Sequence, residues 1–256
     1  MGFFLSSGNT GYFLGPFVAG ALGFTFGLTG MLCLLPLGLL VSVILFKFSR
    51  KGITQSHQID LGYRSANKRL VGLLATITTL RSIAVQTTVT FLPLYFVAQG
   101  ASLLVATGIA SMWLGVAVIG QLFGGWISDR VGRTPVIASS LLVGGVLFYG
   151  FLLTGGAISL ILLALSGAAL FANWSVIVVS ASEAAPSNVG AVSGLMLGFS
   201  IGVGGIAALG FGAMADAFGL SQVFLIITAF AIVAGLLAFL LPSFTEAPVY
   251  SAVGSA

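Results

Sequence analysis

Eight stretches of this chain, each longer than twenty residues, hold only two charged side chains between them, Lys47 and Arg81. A helix needs about 20 predominantly apolar residues to cross the hydrocarbon layer of a bilayer. The expected fold class is therefore an all-α integral membrane protein. Cutting the chain at polar and Gly/Pro punctuation places the spans at 3–24, 28–48, 70–97, 101–127, 134–154, 157–180, 188–214 and 221–241. A long polar connection, 49–69, separates the first two from the other six. Composition agrees: 58% hydrophobic residues, 5% charged residues and a mean hydropathy of +1.18 leave too little polar surface for a water-soluble globule. No Arg or Lys precedes the first apolar run, and that run exceeds a signal-peptide core, so it reads as structure and not as a cleaved leader.

The pI near 9.6 raises the question of a polyanionic partner, and the positions of the nine basic residues answer it. Lys47, Arg50, Lys51, Arg64, Lys68, Arg69, Arg130 and Arg133 all fall on one side of an eight-span topology, and the other side has none. By the positive-inside rule both termini, the 49–69 connection and the Arg130–Arg133 turn are cytoplasmic, in the plasma (bacterial inner) membrane. The basic charge then serves topology and anionic lipid headgroups, and no nucleic acid is expected.

Catalytic and cofactor chemistry find little support. Cys33 is the single cysteine and lies in an apolar run, where it reads as a small buried side chain. His57 is the single histidine, so no metal site is expected. Ser56, His57 and Asp60 are neighbours in the polar connection with no pocket to order them, and none of the three lysines follows a glycine as a phosphate-binding loop requires. The chain is read as a non-enzyme without cofactors.

The segment GGWISDRVGRTPV, residues 124–136, concentrates three charges within five positions. By itself it is a turn whose arginines set topology. Its glycines allow a tight bend and close helix contact, and Asp129 is placed to cap the next helix or to pair with arginines. Gly125, Asp129, Arg130, Gly132 and Arg133, with Gly124, resemble the loop signature G-x-L-a-D-r-x-G-r-k of the major facilitator superfamily; Ile127 replaces the Leu and Thr134 the last basic residue. The resemblance implies a conformational switch, charges that latch neighbouring helices in one state and release them in another. In that family the signature recurs between the eighth and ninth of twelve helices, after a central loop, and 49–69 occupies that loop's place.

Gly11, Gly15, Pro16 and Gly20 are similar to the G-x-x-x-G-P-x-x-G-G signature of the fifth helix of the family's proton-coupled antiporters, with Ala19 for one glycine. The bland reading is generic small-residue helix packing. The resemblance implies an N-terminally truncated bundle, with four N-terminal helices missing before Met1. Residues 1–48 would be the last two helices of the N-terminal half, 49–69 the cytoplasmic central loop, 70–243 the C-terminal six-helix half and 244–256 a cytoplasmic tail. Faint internal repetition fits two related halves: Gly15 and Gly20 recur as Gly205 and Gly210, and Gly27, Leu28, Thr29 as Gly219, Leu220, Ser221.

Candidate binding groups lie inside the spans. Arg81 falls about 16 Å into its span at 1.5 Å per residue, near the midplane, where charge is costly and usually functional. It can anchor an anionic substrate, pair with an acid on an absent helix, or snorkel to the headgroups. Thr79, Ser82, Gln86 and Thr90 follow 3- and 4-residue spacing and form one polar stripe, with Arg81 off its centre. Pro93 marks a kink or a helix end. Asn173, Trp174 and Gln121 are further candidates for cavity groups or interhelical hydrogen bonds. Glu183 and Asp216 sit at span ends and read as structural, so no carboxylate is deep in a span. RSIAVQTTVTFLPLYFV, residues 81–97, and GNTGYFLGP near the start look similar to the fosmidomycin-resistance type of drug-efflux permease. The resemblance implies a secondary active transporter exporting small molecules, anionic ones included, against protons by alternating access. A truncated chain would not transport alone. The rival is a non-transporting membrane scaffold or a channel-like protein.

Overall fold

A computed structural model describes residues 15, 17–27, 32, 34–49, 68–185 and 188–242. Among the described residues there is no strand. The helices are α1 (Phe17–Phe26), α2 (Leu34–Ser49), α3 (Lys68–Ala98), α4 (Leu103–Val131), α5 (Arg133–Leu153), α6 (Gly156–Ala184), α7 (Val189–Phe218) and α8 (Leu220–Ala238). The six from α3 onward are long and apolar enough to cross a membrane. They match the last six expected spans to within a few residues. Of the first two, only α1 and the 16-residue α2 are described, both shorter than a full span. Pro93 lies inside α3, which continues to Ala98, so it does not end the helix.

In a bilayer, water does not drive helices together, and close contact through small residues does much of that work. Gly120 and Gly124 on α4 lie directly on the backbone of Ala168 and Ala172 on α6. Gly167 backs onto Trp113, and a Cβ at Gly204 on α7 would stand 2.7 Å from the Ser82 carbonyl oxygen of α3. These approaches let α6 nest between α4 and α5, while α3 runs between α7 and α8. The core they enclose is apolar, with Leu74, Ile77, Trp113, Ile137, Leu141, Leu163, Ile177 and Phe224 fully buried. Near one end of α3, Tyr95 meets Phe96, Phe151 and Phe224 at ring-centroid distances of 5.6, 5.7 and 5.2 Å.

Two of the turns are single residues. Gly132 joins α4 to α5 at φ 99°, ψ 161°, and Gly219 joins α7 to α8 at φ 86°, ψ 156°. Each closes the preceding helix with its own N–H, to Ser128 O at 3.0 Å and to Ala215 O at 2.9 Å. This backbone region is essentially reserved for glycine. Gly132→Ala is therefore expected to lower unfolding stability by about 1–3 kcal/mol, measured by titrating the protein from mild detergent into sodium dodecyl sulfate. Gly72→Ala, on an exposed turn of α3 with open space around it, should not destabilise.

Candidate functional site

The site begins with an interruption in α6. The helix breaks at Asn173, whose N–H turns back to Phe171 O instead of reaching four residues along, and resumes at Trp174. The Leu170 carbonyl at this break accepts Arg81 Nε from α3 at 2.9 Å and Asn173 Nδ2 at 3.2 Å. Asn173 Nδ2 also donates to Ser140 Oγ of α5 at 3.0 Å, and Ser140 in turn donates to Ile137 O at 3.2 Å. Three helices meet in this one polar node.

Arg81 is 3% exposed and lies near the middle of the 31-residue α3. Its guanidinium does not snorkel: it points across to α6 and rests on two rings, 4.9 Å from the Phe171 centroid and 4.7 Å from the Trp174 centroid. Such cation–π contacts replace part of the hydration that burial removes. Among the described residues no carboxylate pairs with it. Its Nη2 and the Oδ1 of Asn173 are both buried without a hydrogen-bond partner, one donor on α3 and one acceptor on α6. Buried polar atoms are nearly always satisfied, and exceptions of this kind call for a ligand, a water or a strained role.

Arg81, Asn173 and Trp174 are thus brought together. Thr79, Ser82 and Gln86 belong to another face of α3, running along the contact with α7. Thr79 Oγ1 donates to Ser200 Oγ at 3.3 Å, and the Ser82 carbonyl and Gln86 Cγ border Gly204. Ser200 follows a π-helical turn, Leu195–Phe199, and donates to Leu195 O at 3.3 Å. Thr90 is exposed and donates to its own helix at Gln86 O, 2.8 Å. Gln121 is buried on α4, one turn before Gly125, whose Cβ position would touch Ser175 Oγ at 3.6 Å.

The charged turn is arranged differently from the expected pattern. Asp129 is exposed and does not cap α5, which has no side-chain cap. Arg133 instead pairs bidentately with Glu183 at the end of α6, Nη2 to Oε1 at 2.6 Å and Nη1 to Oε2. The reason is topological: α5 and α6 are antiparallel neighbours, so the start of one lies beside the end of the other. Thr134 Oγ1 donates to Pro242 O at 3.0 Å, tying the same turn to the end of α8. Arg130 stacks on Trp126 with its guanidinium carbon 3.8 Å from the ring centroid.

In the first helix, Gly20 is buried directly against Thr107 of α4, whereas Gly15 is exposed. Gly11, Pro16, Cys33, Ser56, His57, Asp60 and the 244–256 tail lie outside the described residues. The sequence reading missed Phe171, Ser140 and the Leu170 carbonyl at the node, and Glu183 as the partner of Arg133. Only Glu183 carried a signal, as the one acid on the stretch facing Arg133 across a helical hairpin.

The Major Facilitator Superfamily model matches residues 1–208 and 74–254. An uncharacterized MFS-type transporter of Bacillus subtilis, YfnC, is 42% identical over 125 residues, covering 49% of this chain and 30% of the relative. The fosmidomycin resistance protein of Escherichia coli is 28% identical over 254 residues, covering 93% of this chain and 61% of the relative. The chain thus spans less than two thirds of the length of either. The crystal structure of the transporter FucP in its outward conformation superposes with a TM-score of 0.60 at 22% identity, over 69% of this chain and 43% of that one, which supports the fold. Six spans, a glycine-turned D-R-x-G-R loop and a family match over most of its length have one reading: the chain belongs to the major facilitator superfamily of membrane transporters.

Proposed function

We propose that this chain belongs to a proton-coupled exporter of small anionic molecules, working by alternating access, with Arg81 as the anion's anchor. The observation that carries the reading is the Arg81 guanidinium, buried at mid-helix with no carboxylate partner among the described residues and with Nη2 unpartnered. A mid-membrane charge kept without a counter-ion is costly, and an anionic substrate supplies the missing partner. Similarity to a fosmidomycin resistance protein supports efflux. The described acids Asp129, Glu183 and Asp216 are all exposed near helix ends, so in this reading the proton carrier belongs to the N-terminal half.

Residues 70–243 act as the C-terminal half, and the N-terminal half, of which 1–48 is the last part, closes the other side of the cavity. Both termini and the Arg130–Arg133 turn face the cytoplasm, and the Arg133–Glu183 pair is a latch that holds α5 to α6 in one state. At 26% and 51% side-chain exposure it contributes little stability, which suits a contact that must break in each cycle.

Labelling tests the reading. In a full-length Cys33→Ser background, a Gln86→Cys thiol, half-buried beside α7, should be alkylated several-fold more slowly when fosmidomycin is present, and at a different rate under an imposed pH gradient. A scaffold or channel would respond to neither, and an unchanged rate under both conditions would refute the transporter reading.

A further inference from the structure

Along α4, α5 and α6 runs an apolar groove of about 350 Å³, walled by Phe123 and Ile127 of α4, Ser139, Val143 and Leu147 of α5, and Leu165 of α6. Helix periodicity says which way it opens. At about 100° per residue, Thr107, the residue that α1 covers, is about 160° around α4 from Phe123. The groove therefore faces away from α1, toward lipid.

Its mouth is at the basic end of the bundle. Phe123, Ile127 and Arg130 fall within about 60° of one another on α4, so Arg130 stands one turn beyond the groove wall. Its guanidinium stacks on Trp126, one turn earlier, at 3.8 Å from the ring centroid, which draws it back to the level of the groove wall, and among the described residues it has no ion pair. Arg133 is occupied by Glu183. Asp129 lies about 120° from Phe123, on another face, and among the described residues forms no ion pair with Arg130. An apolar slot capped by one cation held on an aromatic ring matches an amphiphile with an acyl chain and an anionic head.

We propose that this groove is a binding site for an acidic phospholipid, its phosphate on Arg130 and one acyl chain along Phe123, Val143 and Leu147. The occupant is part of the bilayer and is distinct from the transported molecule at Arg81. Binding would splint α4, α5 and α6 together at the turn that carries the Arg133–Glu183 contact.

Tryptophan fluorescence reports on the site through Trp126, 53% exposed against 0% and 7% for Trp113 and Trp174, read as the part of the quenching that Trp126→Phe removes. The purified full-length protein is reconstituted in phosphatidylcholine vesicles containing a small fraction of brominated lipid. Brominated phosphatidylglycerol should quench saturably and more effectively than brominated phosphatidylcholine by about fivefold, the factor one basic residue near an anionic surface supplies. Arg130→Gln should remove that preference, and Ser139→Phe, which fills the groove, should weaken quenching by both lipids. Arg69→Gln, at the same end of the bundle but on α3, should change nothing. Equal quenching by the two lipids in the unsubstituted protein would overturn the site. So would an equal loss in Arg69→Gln, which means diffuse attraction, or undiminished quenching by both lipids in Ser139→Phe, which means a headgroup without a seated chain. Brominated phosphatidylethanolamine quenching as well as phosphatidylglycerol would overturn the acidic-headgroup assignment. Unchanged emission spectra in unbrominated vesicles identify variants that remain folded.

Discussion

Arg81→Ala in the full-length protein is expected to eliminate binding of anionic substrate while the helices stay folded. Removing one member of a buried, hydrogen-bonded charge pair costs about 2–5 kcal/mol, or roughly 30- to 5,000-fold in affinity. Arg81→Lys should recover only a small part of this. A lysine keeps the charge but loses the planar group that donates Nε to Leu170 O while lying on Phe171 and Trp174. Stability should move the other way. The guanidinium has no counter-ion among the described residues, so Arg81→Met, close in volume and free of desolvation cost, is expected to unfold at the same or a higher temperature. Equilibrium binding and thermal unfolding on the same preparations check both halves. Undiminished affinity in Arg81→Ala would remove the anchor role, and a large loss of stability in Arg81→Met would make the residue a structural brace.

Gly124→Val carries the largest expected effect on folding. A Cβ at Gly124 would lie inside the backbone carbonyl of Ala172, and one at Gly120 inside that of Ala168. Backbone cannot swing aside as a long side chain does, so α4 and α6 must separate. Overpacking a core costs about 1–3 kcal/mol when side chains can adjust. Here two branched methyls and a rigid neighbour place the result at or beyond the upper end, and Gly120→Val with Gly124→Val should yield no monodisperse protein. Gly190→Val, with open space where its Cβ would go, is the comparison that should purify normally. Size-exclusion profiles in detergent decide the matter. A monodisperse double variant would show that α4 and α6 can separate without loss of the fold.

Hydropathy made α3 to α8 legible, because crossing hydrocarbon sets a minimum length that few other constraints imitate. Facing was less legible. Arg81 is one residue from Thr79's neighbour on the polar stripe, yet it turns to α6 while Thr79 and Ser82 turn to α7, and only the neighbours' positions decide that. The break in α6 was invisible because F-A-N-W contains neither Gly nor Pro; it is held from outside, by Arg81 and Ser140. The D-R-x-G-R segment was conspicuous for its charge. Its geometry is shared with the less conspicuous D-A-F-G at 216–219, where the glycine takes the same backbone conformation. The glycine, and not the charge, makes the turn.

Those one-residue turns have a mechanical consequence. Gly132 and Gly219 leave no spare chain between the helices they join, so α4 cannot slide along its axis without drawing α5 with it, nor α7 without α8. Each pair behaves as a rigid staple hinged at its own bend. Compliance is left to longer connections such as the four residues 99–102 between α3 and α4. A push on α7 beside Ser82 would then arrive at Pro242 and Thr134 through α8, carried by a lever with no slack in it.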